Sequence, residues 1–127
     1  DSRYYLLHDG VLRQVTRDQT IAEDLLERGV MTRTQAFRSP YAHVLSSAIG
    51  GDTAMPMVTR IKTDWNHVHL MCSDGLPKHV SDERIAEVLR TMTSSKQACE
   101  DLLQMALDGG GSDNTTIIVG RAVPSAG

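Results

Sequence analysis

Apolar and polar residues follow two rhythms along the chain. In "RYYLLHDGVLRQVT" (3–16) two β-prone runs flank Asp9-Gly10, a dipeptide suited to a two-residue hairpin turn. After Asp18 the spacing becomes helical: Ile21, Leu25 and Leu26 share a face, and Gly29 is placed to end the helix. Thr32 followed by Gln35 is a capping-box pattern, and Pro40 closes the helix it opens. Beyond the short apolar segment "HVLSSAIGG" (43–51), "PMVTRIKT" (56–63) and "HVHLMCS" (67–73) read as two strands, with a turn at "DWN" between them. In the second of these, Val68, Leu70 and Cys72 fall on one face and His67, His69 and Met71 on the other.

Two helices follow. Ser81 can cap "DERIAEVLRTM", in which Ile85, Val88 and Leu89 form an apolar stripe. Ser94 and Gln97 predict a second capping box ahead of "ACEDLLQMAL". Three glycines then lead into "TTIIVGRAV" (115–123), a strand-like run without alternation, which predicts a strand covered on both faces. Strands at both ends with helices between them predict a mixed, layered α/β (α+β) fold.

Composition narrows the function classes. A chain of 127 residues is one domain's worth. Only 4% of its residues are aromatic, so the core must be built from Leu, Ile, Val, Met and Ala. A formal charge of −3 argues against a nucleic-acid module. No apolar run approaches the roughly 18 residues of a membrane span. The opening "DSRYYLLHDG" is charged and strand-like rather than a signal peptide, as if the chain began inside a fold. Cys72 and Cys99 are too sparse for a disulfide framework, and reduced thiols suit a cytoplasmic protein.

Candidate chemistry gathers at strand ends. "MCSDG" places Asp74 just after one strand, and "GGSDN" places Asp113 just before another. If the two strands are antiparallel neighbours, both carboxylates lie at one edge of the sheet, where Asp1 at the start of the first strand could join them. Converging carboxylates repel unless a cation or a shared proton relieves them. Mg²⁺ and Mn²⁺ take such oxygen ligands, and a pair of ions can activate a shared water. The alternative is that Asp74 and Asp113 only cap turns, because Asp-Gly and Asp-Asn are common turn pairs. His67 and His69 have a spacing able to hold a transition metal but no evident third ligand. His8, His43 and His79 are scattered; His79, near Asp74, could approach the site as a proton donor.

"LMCSDGLPKHVSDERIAEVL" and "ACEDLLQMALDGGGSDNTTIIVGRA" together resemble the C-terminal half of the type 2C (PPM) metal-dependent Ser/Thr protein phosphatases. "DSRYYLLHDGVLRQVTRDQT" looks like the family's "GDSR" segment without its first Gly, and "AHVLSSAIGG" resembles its "LTRALG" stretch. The resemblance implies part of a four-layer α-β-β-α sandwich with mostly antiparallel sheets, with a flap-like segment over about residues 21–41. It implies metal ligation by Asp74 and Asp113, a weaker third metal at Asp1, and Ser73, Gly75 and Asn114 as supporting neighbours.

Three departures accompany the resemblance. The family's "DGHGG", whose Asp bridges the two metals, is not in this sequence, nor is the phosphate-binding Arg of eukaryotic members. Lys78 stands where the family often carries an acid, and Gln19 replaces a His. The expected activity is hydrolysis of phosphoserine and phosphothreonine in proteins or peptides, with Mg²⁺ or Mn²⁺ as cofactor. An isolated half would be weakly active or inactive, and would pair with the missing N-terminal half or a second copy. The competing expectation is a catalytically inactive binding or regulatory module, or a dimer of half-domains.

Overall fold

The computed structural model describes residues 2–42 and 44–125; Asp1 and His43 lie outside them. The described residues form two compact units, residues 17–59 and residues 2–16 with 60–125.

The second unit is built on one antiparallel sheet. Strands β1 (Ser2–His8) and β2 (Val11–Gln14) form the expected hairpin, with Asp9 and Gly10 at φ of 49° and 78°. Positive φ at both central residues matches the right-handed twist of the flanking strands. Strand β3 (Val68–Ser73) pairs with β1, and β4 (Ile117–Arg121) pairs with β3, giving the order β2-β1-β3-β4. Tyr5, Leu7, Val68, Leu70 and Cys72 face one side of the sheet. There they meet Ile85, Val88 and Leu89 of the helix Asp82–Thr91, and Ala98, Leu102 and Ala106 of the helix Ser95–Asp108.

Tyr5 also joins the sheet to the first of these helices. Its hydroxyl accepts from Arg3 Nη1 at 2.9 Å and donates to Asp82 Oδ1 at 3.4 Å. Burial pushes its pKa up to about 12, so the hydroxyl keeps its proton and remains a donor.

The first unit holds α1 (Ile21–Glu27) and α2 (Arg33–Arg38), so the two core helices named above are α3 (Asp82–Thr91) and α4 (Ser95–Asp108). Thr20 caps α1, and Thr32 with Gln35 forms the expected capping box on α2. Arg17 bonds Glu27 Oε1 at 2.6 Å and also pairs with Asp24, which holds the chain against α1.

Three expectations are corrected. Residues 56–63 form no strand: Val58 is 88% exposed, and the segment has no ladder partner to satisfy its backbone groups. Strand β4 is covered on one face only, because α3 and α4 pack against one side of the sheet: Ile117 and Val119 pack on the core while Ile118 is 54% exposed. The second capping box is half formed. Ser94 Oγ accepts the Gln97 N–H at 3.0 Å, but Gln97 Oε1 takes the N–H of Thr93 rather than that of Ser94.

The packing predicts how stability divides across β3. Leu70→Ala, at a fully buried position, should cost about 2–5 kcal/mol in urea unfolding followed by far-UV circular dichroism. Met71→Ala, on the outer face, should cost under about 1 kcal/mol.

Candidate metal centre

The site begins with a strand register. Cys72 pairs with Ile117, and the ladder runs one step further. The Ser73 N–H donates to Thr116 O at 3.0 Å, and the Thr116 N–H donates to Ser73 Oγ at 2.9 Å. The exit of β3 and the entrance of β4 therefore share one end of the sheet, with Asp74 following the first and Asp113 preceding the second. Ser73 Oγ donates in turn to Asn114 O at 3.2 Å, so the serine ties the two segments together.

The two segments approach closely because residue 75 lacks a side chain. A β-carbon at Gly75 would lie 2.5 Å from both Asn114 O and Thr115 Oγ1, a clash with backbone as well as side chain. After Gly75 the chain makes a helical turn, with the Lys78 N–H donating to Asp74 O at 3.1 Å and the Val80 N–H to Leu76 O at 2.9 Å. That turn faces the glycine loop after α4. His79 Nε2 accepts the Ser112 N–H at 3.3 Å and lies 2.7 Å from Ser112 Oγ. A β-carbon at Gly109 would sit 2.9 Å from His79 Cβ and one at Gly110 3.2 Å from its Cε1, so His79 packs where side chains would otherwise stand. Gly110 and Gly111 then turn the chain with φ of 132° and 53°.

Asp113 is held in its charged form. The Asn114 N–H donates to its Oδ1 at 2.8 Å, and Lys78 Nζ lies 3.3 Å from its Oδ2. These contacts, the backbone one first, hold its pKa below the usual carboxylate range. The Asp74 carboxyl is also within hydrogen-bonding reach of Asp113. The structure thus brings together Asp74, Asp113, Ser73, Gly75 and Asn114. Asp1 lies outside the described residues, although its sequence neighbour Ser2 pairs with Ser73.

Two adjacent carboxylates, Asp74 half-buried and Asp113 exposed, are oxygen ligands of the kind Mg²⁺ and Mn²⁺ prefer. They fit such an ion as part of its shell. Among the described residues no group of three His, Cys, Asp or Glu side chains is arranged to hold a metal.

The histidines are engaged elsewhere. His67 is buried, its Nδ1 accepts the Asp64 N–H at 3.2 Å, and its ring lies 4.3 Å from that of His8. His69 Nδ1 pairs with the Tyr4 hydroxyl, and burial, with His67 adding to it, pushes the His69 pKa down. His79 does approach the site, but its partner is Ser112. Its clasp on the glycine loop was not read from the sequence; the run of small residues at 109–111 was the available signal.

No protein-family model matches the chain. Individual proteins do. The chain is 38% identical over 123 residues to the Ser/Thr protein phosphatase PstP of Mycobacterium tuberculosis, covering 97% of this chain and 24% of that protein. It is 30% identical to the Ser/Thr phosphatase stp of Listeria monocytogenes, covering 94% of this chain and 48% of that protein. The crystal structure of M. tuberculosis PstP superposes with a TM-score of 0.89 at 36% identity, over 98% of this chain and 52% of that one. Its homologues are Ser/Thr protein phosphatases of the 2C, or PPM, type. A further PstP structure, of the catalytic domain in complex with two manganese ions, superposes with a TM-score of 0.83 at 37% identity, over 98% of this chain and 51% of that one. The chain thus spans between a quarter and about half the length of the phosphatases it matches. The fold expectation holds: the structural neighbours are 2C phosphatases, and the sheet with α3 and α4 is α+β and antiparallel.

The close approach at Gly75 predicts a contrast. Gly75→Ala should destabilise the protein by about 1–3 kcal/mol and speed amide hydrogen exchange at 113–116, because the segments must part. Gly120→Ala, with no atom within 4 Å of the new β-carbon, should leave both within error.

Proposed function

We propose that this chain is the C-terminal half of a metal-dependent Ser/Thr protein phosphatase domain, with Asp74 and Asp113 as ligands of the catalytic metals. The observation that carries the reading is the convergence of these two carboxylates where β3 ends and β4 begins. Asp1 is a further candidate ligand, for a third ion. The separate compactness of residues 17–59, with α1 and α2, supports a flap formed by about residues 21–41.

Bound Mg²⁺ or Mn²⁺ supplies an activated water for attack on phosphorus and offsets the charge that develops there. This chain's own contribution is to hold the carboxylates. Asn114 fixes one Asp113 oxygen, and Ser73 and Gly75 set the distance between the two segments. The substrate class is a phosphoserine- or phosphothreonine-bearing protein.

The family's metal-bridging Asp lies in "DGHGG", which this sequence lacks, so the active unit needs a further acidic ligand. An N-terminal half with "DGHGG" would bring one. It would also cover the outer face of the sheet, where Met71 and Ile118 are 48% and 54% exposed. A second copy of the chain is the other candidate for that face. No helix among the described residues is long and apolar enough to cross a membrane. The free thiols of Cys72 and Cys99 support a reducing compartment such as the cytoplasm. The lysine seated on Asp113 favours a second reading, a phosphatase-like binding or regulatory module without activity.

Phosphate release from a phosphothreonine peptide, followed against Mn²⁺ concentration, separates the two. The chain alone should turn over little, and co-expression with a "DGHGG"-bearing N-terminal half should restore activity. In the restored protein, Asp113→Asn should lower activity at least about tenfold at low metal, with partial recovery at high metal. Full activity of Asp113→Asn at low metal would remove Asp113 from the site. No activity in the restored protein would favour the regulatory reading.

A further inference from the structure

We propose that Lys78 is a tethered cation that competes with the metal for Asp113 and so raises the metal concentration at which the site fills. The inference rests on the metal reading above. It starts from spacing: Lys78 follows Asp74 by four residues on a helical turn, which puts both on one side of that turn. The turn is anchored at both ends. The Lys78 N–H is bonded to Asp74 O, and the next residue, His79, is bonded to Ser112 in the opposite loop. The base of the lysine is thereby set beside the carboxylate pair, and its ammonium lies 3.3 Å from Asp113 Oδ2.

Two adjacent carboxylates without a counter-ion repel, and the ammonium relieves that repulsion. A divalent ion bound by a carboxylate sits about 2.0–2.6 Å from its oxygen. An ion on Oδ2 and an ammonium on the same oxygen would be like charges in contact. The lysine must swing away or the ion must bind against it. The side chains of Lys78 and Asp113 are 28% and 40% exposed, so solvent is available to the departing ammonium. A lysine suits exchange of this kind: it is a point charge on a flexible stem, without the two-pronged grip of an arginine. Lys78 thus keeps the carboxylates together in the metal-free protein and gives way when metal is abundant.

Mn²⁺ binding to the chain, measured by isothermal titration calorimetry and by the free-ion signal in electron paramagnetic resonance, tests this without an activity readout. Lys78→Met should bind Mn²⁺ about threefold more tightly than wild type, or better, and the gain should shrink in high salt. Lys78→Arg, which keeps the charge and adds a two-pronged grip, should bind no more tightly than wild type, and Lys78→Gln should follow Lys78→Met. Asp113→Asn should lose most of the affinity. If Lys78→Met and Lys78→Gln bind as wild type or more weakly while Asp113→Asn still loses binding, the lysine's role is overturned and the metal reading stands. If wild type and Asp113→Asn bind alike, or neither binds even when co-expressed with a "DGHGG"-bearing N-terminal half, the metal reading falls and the competition falls with it.

Discussion

The site depends on the antiparallel pairing of β3 with β4, carried one step beyond the strands by Ser73 and Thr116. An antiparallel pair brings the end of one strand to the start of its neighbour. Residues 74 and 113 are 39 positions apart in sequence, yet the register alone makes them neighbours. Everything between them in the chain, α3 and α4 included, returns to the same end of the sheet to make that pairing possible. The core face of the sheet serves the same purpose: Leu70 and Cys72 are fixed against α3 and α4, so the strand that delivers Asp74 cannot slip without exposing them.

The pairing brings two acidic segments together, and the local chemistry makes the proximity tolerable. Gly75 removes the steric obstacle. Ser73, Asn114 and His79 then fasten the segments with hydrogen bonds, and Lys78 offsets the charge. These contacts come from the turn after β3 and the loop before β4. The two segments are thus held together by residues of the turn and loop themselves.

Much of this was legible in the sequence because it is local. The Asp9-Gly10 turn, the caps at Thr32 and Ser81, and the stripe of Ile85, Val88 and Leu89 follow from short-range spacing. The convergence of Asp74 with Asp113 was conditional on one long-range pairing, and that pairing is present. What failed depended on neighbours that spacing does not encode. Residues 56–63 have strand composition but no partner strand, and β4 has a continuous apolar run but helices against only one of its faces. The clasp of His79 on Ser112 was hidden for the same reason: the 33 positions that separate them are closed by tertiary structure.

The proposed site for a divalent metal lies where Asp74 and Asp113 converge, at the shared end of β3 and β4. Mn²⁺ is paramagnetic, and adding it in small amounts to the ¹⁵N-labelled chain tests that placement most directly by broadening the amide signals nearest the ion. Broadening should begin at Gly75, Lys78 and Asn114 and spread outward from the shared end of β3 and β4. Broadening that begins at His67, His69 and His8, with the amides of 74–75 and 113–114 left sharp, would contradict it.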